Sequence, residues 1–289
     1  MHYEKAKGLV SAGGNMNIYR GCTHGCIYCD SRSTCYGFTH SFEDVAVKEN
    51  APRLLEKALA SRRSRIMVGM GSMSDPYMHC EKDLLHTRKC LEIIDRYHYG
   101  FTLITKSCLV ERDMDLFASI NEKSKAVLQM TLTTADRALC RILEPNVPTT
   151  RQRFETLKKF RDAGIPTVVW LCPVLPFINA TEENLRAILD MCIEAGVKGI
   201  ICFGMGLTLR EGNREYFYRK LDEHFPGMKE KYIRTFGSSY QCTSPDNAKL
   251  MKIFYTVCRE NNIMYNPDAI FEWLKEFPDK TEENQLTLF

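Results

Sequence analysis

The sequence predicts an α/β fold: a partial (β/α)6 barrel of the TIM type with a C-terminal helical extension. Short apolar runs alternate with helix-like segments between residues 15 and 205, which is the pattern of βα units that share one parallel sheet. Each run is followed by a polar or glycine-bearing loop, and such loops form the active sites at the carboxyl ends of barrel strands. From residue 214 onward the pattern changes to helices.

Six strands and five helices are predicted in the barrel, in alternation. The strands are short and apolar, and the fifth is rich in β-branched residues, which favour strands. Thr181 and Gly196 are a suitable N-cap and stop for the last helix. The predicted strands cover residues 17–19, 65–69, 101–105, 126–132, 165–172 and 197–203, and the predicted helices cover residues 42–61, 81–97, 113–121, 150–163 and 181–195.

The chain is predicted to have three regions. Residues 1–210 form the barrel, residues 211–278 form a helical extension packed on it, and residues 279–289 form a polar tail. A chain of this length buries about 75% of its unfolded surface, so it needs no disulfides for stability. The helices predicted in the extension cover residues 214–224, 228–235, 246–260 and 269–276.

The chain contains 13 cysteines. Their number is odd, and ten of them are scattered singly through apparent core segments, which indicates buried free thiols in a reducing compartment. The first ten residues lack the apolar run of a signal peptide. No stretch approaches the roughly 18 apolar residues of a membrane span. We therefore predict a cytoplasmic protein without a membrane segment.

The other three cysteines, Cys22, Cys26 and Cys29, share one short loop with the spacing C-x3-C-x2-C. A structural zinc site needs four ligands, and the fourth would have to be His24 or Cys35, neither of which gives a familiar zinc knuckle. An iron–sulfur cluster held by three thiolates leaves one iron open to another ligand. The neighbouring glycines allow the loop to wrap closely around a cluster; they are Gly21 and Gly25.

This spacing, with Tyr28 just before the last cysteine and the motif placed after the first strand of a βα chain, resembles the radical S-adenosylmethionine superfamily. The resemblance implies that Cys22, Cys26 and Cys29 hold a [4Fe–4S] cluster whose open iron chelates the amino and carboxylate groups of S-adenosylmethionine. It also implies an enzyme that cleaves this cofactor to a 5′-deoxyadenosyl radical, with the cofactor supplying the difficult chemistry.

The resemblance extends to the spore photoproduct lyase-like group, through the segments NIYRGCTHGCIYC, SDPYMHCE, TKS, LEP and PVLPFIN. It implies that Ser74 and Lys106 contact S-adenosylmethionine, and Lys106 suits this role because a cation favours a nearby carboxylate. Thr131 or Thr133 takes the place of a strand-four serine of the lyase.

Three further side chains are expected around the cofactor. We expect Asp75 and Glu81 to point into the pocket above the cluster, although Asp75 also suits a turn before Pro76 and Glu81 suits the first turn of a helix. Tyr28 is expected beside the adenine or over the cluster.

Two positions depart from the lyase. The cysteine that gives a hydrogen atom to the product radical in the lyase is Ser72 here, and the tyrosine that follows the last cluster cysteine is Asp30. A serine O–H bond is too strong for hydrogen-atom donation, and Cys80 is not in register with the lost cysteine. The radical-generating half is therefore expected to be intact, while the substrate differs from the spore photoproduct and the catalytic residues on the substrate side are unassigned.

Three functions follow from these observations. The leading one is a radical enzyme of nucleic-acid modification or repair that takes electrons from a donor such as flavodoxin or ferredoxin. The second is radical modification of a peptide or protein, for which the extension would need cysteines for auxiliary clusters; it contains only Cys242 and Cys258. The third is a zinc-stabilised binding module recruited to DNA.

The end of the tail gives one further expectation. Its last residues read Q-L-T-L-F, which resembles the pentapeptide that docks repair factors on the bacterial sliding clamp. Apolar anchors of this kind supply most of the energy of an interface. The resemblance implies clamp binding through Gln285, Leu286, Leu288 and Phe289.

Overall fold

The computed structural model describes residues 1–278, and all of its elements lie within that range. The strands are β1 (His2–Glu4), β2 (Asn15–Met16), β3 (Tyr19–Arg20), β4 (Ala46–Lys48), β5 (Met67–Met70), β6 (Gly100–Thr105), β7 (Ala126–Thr131), β8 (Thr167–Trp170), β9 (Gly199–Ile201), β10 (Gly206–Thr208) and β11 (Gln241–Thr243). The helices are α1 (Ala51–Ser61), α2 (Glu81–Leu84), α3 (His86–Arg96), α4 (Met114–Lys123), α5 (Arg137–Leu143), α6 (Thr150–Asp162), α7 (Glu182–Ala195), α8 (Asn213–His224), α9 (Met228–Phe236), α10 (Asn247–Glu260) and α11 (Pro267–Lys275).

A six-stranded parallel sheet carries the barrel. Its order is β2-β5-β6-β7-β8-β9, so each strand pairs with the next one along the barrel. Every pairing is parallel, for example Leu103 with Leu128 and Met130 with Val169. All six residues of β7 are buried, as expected for a parallel strand covered on both faces. The predicted partial (β/α)6 barrel is confirmed.

The first predicted strand, at residues 17–19, is wrong in its position. Asn15–Met16 is the barrel strand and pairs with β5, whereas Tyr19–Arg20 belongs to a second sheet of order β1-β4-β3. The helix predicted from residue 42 begins at Ala51 instead, because residues 46–48 form β4 between β1 and β3. Pro52 lies in the first turn of α1, where its missing N–H costs nothing.

The helix predicted at residues 81–97 is broken at Leu85, whose φ is 51°. That left-handed conformation is uncommon for a residue other than glycine. Two hydrogen bonds of Thr87 accompany the break: its amide donates to Glu81 Oε1 (2.9 Å) and its hydroxyl to the Pro76 carbonyl (2.6 Å). A buried side chain in the preceding turn therefore decides where α2 ends and α3 begins.

The extension is not purely helical. Leu207 pairs with Cys242 in the antiparallel ladder of β10 and β11, and a pairing across such a sequence distance leaves no local signal. Helix α10 packs against α7. One apolar cluster joins Ile27 of the cysteine loop to Phe217 of α8 and Tyr232 of α9. The extension thus supports the loop that carries the three cysteines.

All 13 cysteines lie in the described part of the chain, and each is a free thiol. Cys90, Cys192 and Cys258 have no exposed surface, in agreement with the prediction of buried apolar thiols. Among residues 1–278, no helix combines the length and the apolar composition that would be needed to cross a membrane. The segment resembling a clamp-binding peptide, residues 285–289, lies outside the described residues.

Candidate functional site

The cysteine loop follows β3 and is fixed at several points by its backbone. The Cys22 amide donates to the Phe42 carbonyl (3.0 Å), and the Ile27 amide donates to the Leu143 carbonyl (3.0 Å). Gly21 has a φ of 88°, and a Cβ at this position would lie 2.4 Å from the Phe42 oxygen. Only glycine fits this close approach, so the loop follows a path that few other sequences can adopt.

A cavity of about 700 Å³ lies above this loop, and Cys22, Cys26 and Cys29 line it together. Withdrawal from solvent, reinforced by the charge of Asp75, raises the pKa of Cys22 to about 12. Desolvation also raises the pKa of Cys26. Thiolates at these positions therefore need a strong cationic partner, and a metal cluster that binds as the protons leave provides one.

The spacing of the three sulfur atoms bears on a zinc site at this loop. A single tetrahedral zinc ion with bonds of about 2.3 Å brings its thiolates to about 3.8 Å from one another. In the described residues, the three cysteines do not form a group whose donor atoms lie within 4.8 Å of one another, and neither His24 nor Cys35 completes such a group with them. The described residues of this loop therefore do not form a closed zinc site.

Polar residues at the ends of three neighbouring strands line the same cavity: Ser74 after β5, Lys106 after β6 and Thr131 at the end of β7. The predicted convergence of separate loops is therefore present in the structure. The Ser74 hydroxyl donates to the Tyr19 carbonyl (2.8 Å), which leaves its lone pairs available to accept a hydrogen bond. Thr133 is fully buried, within 3.4 Å of the Thr134 hydroxyl, and it does not line the cavity.

Lys106 places a positive charge beside the cysteine loop. Desolvation by itself would lower its pKa, but the nearby Cys26 and Glu144 outweigh this effect, and the pKa of Lys106 is raised. Its Nζ atom lies 5.8 Å from the centre of the Tyr28 ring. The lysine is therefore protonated in the cavity, where it can pair with thiolates or with an anionic group of a ligand.

Asp75 joins the loops of the site. Its Oδ1 atom accepts from the Tyr77 amide (2.8 Å) and the Thr105 hydroxyl (2.7 Å), and its Oδ2 atom accepts from the Lys106 amide (2.7 Å). Oδ2 also lies 3.4 Å from Nδ1 of His24 in the cysteine loop. Asp75 lines the cavity, as expected, and both of its oxygens accept hydrogen bonds from the protein, so it fixes the neighbouring loops; its contact with the cofactor stays a prediction.

The expectation that Glu81 points into the pocket is wrong. Its side chain has no exposed surface and does not line the cavity. It accepts hydrogen bonds from the Tyr19 hydroxyl, from Arg112 and from the Thr87 amide. The carboxylate therefore holds α2 and α3 against the three-stranded sheet of β1, β4 and β3, which we call the small sheet.

A buried network behind the cysteine loop escaped the residue-by-residue prediction. The Tyr28 hydroxyl donates to Glu144, which also pairs with Arg153, and Arg153 donates to the Thr131 carbonyl (2.6 Å). Burial opposes the charge on Glu144, but the attraction of Arg153 and Lys106 lowers its pKa. The Tyr28 hydroxyl is held by Glu144, and the ring is buried but lines the cavity, so a place beside the adenine and a place over the cluster both stay predictions.

A further part of the cavity wall was not predicted. Trp170, Cys172 and Phe203 line it at the ends of β8 and β9, and the rule that barrel sites lie at strand carboxyl ends identifies these positions in principle. Their neighbours Gln241, Thr243 and Asn247 come from the extension. No motif marks them, because the β10–β11 pairing brings them to the site.

Comparison with protein families adds a decisive observation. The model of the Radical SAM superfamily matches residues 16–192, which is more than half of the chain. The chain belongs to the radical SAM superfamily. It is accordingly an enzyme whose cofactors are a [4Fe–4S] cluster and S-adenosylmethionine. Once bound, these cofactors supply one electron and the S-adenosylmethionine-derived radical, and Cys22, Cys26 and Cys29 are the residues that fit the cluster.

Curated relatives of this radical SAM chain occur in distant organisms. An uncharacterized protein of Mycobacterium tuberculosis is 29% identical over 230 residues, which cover 75% of this chain and 65% of that protein. An uncharacterized protein of Methanocaldococcus jannaschii is 33% identical over 169 residues, which cover 58% of this chain and 62% of that protein. The chain thus spans less than two thirds of the length of these relatives.

Two solved structures of spore photoproduct lyase share the fold. One single-residue variant aligns with a TM-score of 0.64 and 14% identity over 91% of this chain and 80% of that chain. The lyase complexed with dinucleoside spore photoproduct aligns with a TM-score of 0.60 and 16% identity, covering 84% of this chain and 71% of that chain. At such low identity the likeness shows the common architecture alone.

The first prediction concerns the ligands of the cluster. Alanine at Cys22, Cys26 or Cys29 should abolish [4Fe–4S] assembly, because two thiolates hold a cubane cluster poorly. Alanine at Cys35, which is exposed and contacts Arg210, is the matched control and should leave the iron content unchanged. Iron and sulfide are measured after anaerobic reconstitution. If the Cys35 variant loses its iron as completely as the Cys29 variant, the three-ligand assignment is wrong.

The second prediction concerns the buried pair of Glu144 and Arg153, whose side chains have no exposed surface. Glu144→Gln should destabilise the fold by about 3–5 kcal/mol, because it leaves the Arg153 charge uncompensated. Glu182→Gln is the control, since Glu182 lies at the surface beside Arg186, and should cost less than about 1 kcal/mol. Anaerobic guanidinium unfolding followed by circular dichroism measures both. Equal losses would contradict the role of the buried pair.

Proposed function

We propose that this enzyme directs its S-adenosylmethionine-derived radical at a nucleobase, in nucleic-acid modification or repair other than spore photoproduct repair. The observation that supports this proposal most strongly is the aromatic wall at the mouth of the cavity. Phe203 lines the cavity although its side chain is 59% exposed. Its ring lies 6.2 Å from Trp170 and stacks on Phe271 at 6.3 Å, measured between ring centres.

An exposed aromatic group at a cavity mouth fits a planar ligand. Burying Phe203 would gain hydrophobic free energy, and Trp170 and Phe271 fix its ring. Proteins that bind single-stranded nucleic acid use such rings to stack bases, since every base has a flat π-face. A base removed from its stack is also what an enzyme needs when it reacts with the base itself.

Arg210 places a cation beside the end of the cysteine loop. Its guanidinium carbon lies 5.8 Å from the Tyr36 ring centre and 5.2 Å from the Tyr240 ring centre. Its Nε atom lies 3.5 Å from a carboxylate oxygen of Asp30, which lines the cavity. A planar guanidinium between two aromatic rings suits both a phosphate group and the face of a base.

The positions assigned to S-adenosylmethionine lie at the ends of β5, β6 and β7, whereas Trp170 and Phe203 lie at the ends of β8 and β9. We assign Lys106 to the cofactor carboxylate because it is the cationic side chain at the first three of these strand ends, and Ser74 and Thr131 to its polar groups. This division leaves the wall of Trp170 and Phe203 for the substrate. The lyase structure complexed with dinucleoside spore photoproduct supports a nucleotide-sized ligand, while Ser72 and Asp30 argue against the same reaction.

The other two functions receive less support. Cys242 and Cys258 belong to two separate apolar clusters, so they do not form the start of an auxiliary cluster for peptide modification. The third function, a zinc-stabilised binding module, is not supported, because the chain belongs to a superfamily of enzymes. An electron donor such as flavodoxin or ferredoxin, docking on the sliding clamp and a cytoplasmic location stay predictions.

The third prediction tests the cofactor side. Lys106→Met should weaken S-adenosylmethionine binding at least tenfold (about 1.4 kcal/mol) without loss of iron, because the cofactor carboxylate loses its cation. Lys159→Met is the control, since that lysine is exposed and pairs with Glu111. Anaerobic calorimetry on the cluster-loaded protein gives both affinities, and 5′-deoxyadenosine release should fall in parallel. An unchanged affinity in the Lys106 variant would refute the assignment.

The fourth prediction tests the substrate side. Phe203→Ala should weaken binding of a single-stranded oligonucleotide by about 5- to 150-fold, which corresponds to the 1–3 kcal/mol of one stacked base. Tyr255→Ala is the control, because Tyr255 is an exposed aromatic on α10 that does not line the cavity. Fluorescence anisotropy at one fixed, low salt concentration measures the affinity. The proposal fails if wild-type protein binds no oligonucleotide, or if both variants bind equally well.

A further inference from the structure

The small sheet carries a group of metal-binding side chains that the radical chemistry does not use. His2 lies on β1, while His40 and Asp44 lie on the segment of residues 37–44 that leads into β4. One donor atom from each of these three residues falls within 4.8 Å of the other two, and they form the one such group of histidine, cysteine and acidic residues in the described chain.

The register of the small sheet places these donors together. His2 is aligned with Ala46 in the parallel β1–β4 pair, and the His2 amide donates to the Val45 carbonyl (3.0 Å). The His2 side chain therefore meets Asp44, and its Nδ1 atom lies 2.9 Å from Asp44 Oδ2. The His40 ring then packs edge-on against the His2 ring, with 4.8 Å between ring centres.

The hydrogen bond of His40 prepares its ring for a metal. Its Nδ1 atom lies 2.9 Å from the Ser41 carbonyl oxygen, and because a carbonyl oxygen can only accept, Nδ1 must carry the hydrogen. The lone pair of the neutral ring is then on Nε2. Histidine ligands of metal ions typically donate their other N–H to a carbonyl or carboxylate in this way.

An ion pair alone explains only part of this arrangement. Asp44 contacts His2 and, through its other oxygen, the Met1 amino group at 2.6 Å, and these contacts satisfy the carboxylate. They do not involve the ring nitrogens of His40, whose ring otherwise packs against His2 and Phe38. Two imidazoles and a carboxylate form a donor set that suits zinc.

We propose that His2, His40 and Asp44 bind one zinc ion, with water at the remaining position. The ion joins β1 to the 37–44 segment, which in turn supports the cluster loop: the Phe42 carbonyl accepts from the Cys22 amide, and the Phe42 ring packs under the Arg32 guanidinium at 4.5 Å. The bound ion therefore holds the N-terminal strand against the base of the cysteine loop, and its remaining position stays open to water. It does not depend on the identity of the substrate.

The test uses tag-free, cluster-loaded protein that has been washed with a chelator under anaerobic conditions. Calorimetric titration with zinc, followed by metal analysis, should show one zinc per chain in addition to the iron of the cluster. His40→Gln and Asp44→Asn should each weaken zinc binding at least tenfold at unchanged iron content. His224→Gln is the matched control, since His224 is a surface histidine of α8, and should bind zinc like the wild type.

A second measurement covers the case in which Asp44→Asn fails to fold. Added zinc should raise the midpoint of thermal unfolding of the wild type and leave that of His40→Gln unchanged, and the His40 side chain is partly exposed, so its replacement is compatible with folding. The proposal is overturned if the wild-type protein contains iron but binds no zinc. It is also overturned if the wild type and His40→Gln bind zinc equally well. In either case the contact between His2 and Asp44 is only an ion pair.

Discussion

The withdrawal of the Cys22 and Cys26 thiols from water is the constraint on which the rest of the site depends. A buried thiolate is costly unless positive charge surrounds it, and desolvation raises the pKa of Cys26 accordingly. A cluster bound by Cys22, Cys26 and Cys29 would supply positive charge at this loop. The chain adds Lys106 within the cavity and Arg153 behind it, and Glu144 in turn balances Arg153. Glu144 and Arg153 thus form a fully buried pair of opposite charges.

The same constraint explains why many side-chain hydrogen bonds fix the loops around the cavity. Asp75 joins the loop after β5 to Thr105 and Lys106 of the next strand and to His24 of the cysteine loop. Glu81 performs a similar task outside the cavity, where it holds α2 and α3. Such preorganisation matters for radical chemistry, because a reactive intermediate must meet one substrate atom in a site that excludes water.

The cavity wall has two origins. Ser74, Lys106 and Thr131 come from the ends of barrel strands, while Gln241, Thr243 and Asn247 come from the extension. If the proposed assignment holds, a wall that is partly built by the extension allows the substrate to change while the barrel residues stay the same, which agrees with the replacements at Ser72 and Asp30.

Local patterns in the sequence determined the architecture and indicated the candidate cluster ligands. The alternation of apolar strands and helices gave the barrel, and C-x3-C-x2-C gave the three cysteines, because both signals lie within a few neighbouring residues. The errors occurred where local preference competes with distant partners. Residues 46–48 read as helix but form a strand, since β1 and β3 offer backbone hydrogen bonds on both sides, and the helix at 81–97 breaks where Thr87 bonds to Glu81 and Pro76.

Only the tertiary structure decided which polar residues meet. It separated Thr131 from Thr133, turned Glu81 away from the cavity and gave both oxygens of Asp75 to protein donors. It also assembled Glu144 with Arg153 and Tyr28, and His2 with His40 and Asp44, from segments that are far apart in the chain. The physical reason is that a side chain's partners are set by strand register and by packing across the molecule, which the residue types of one segment do not encode.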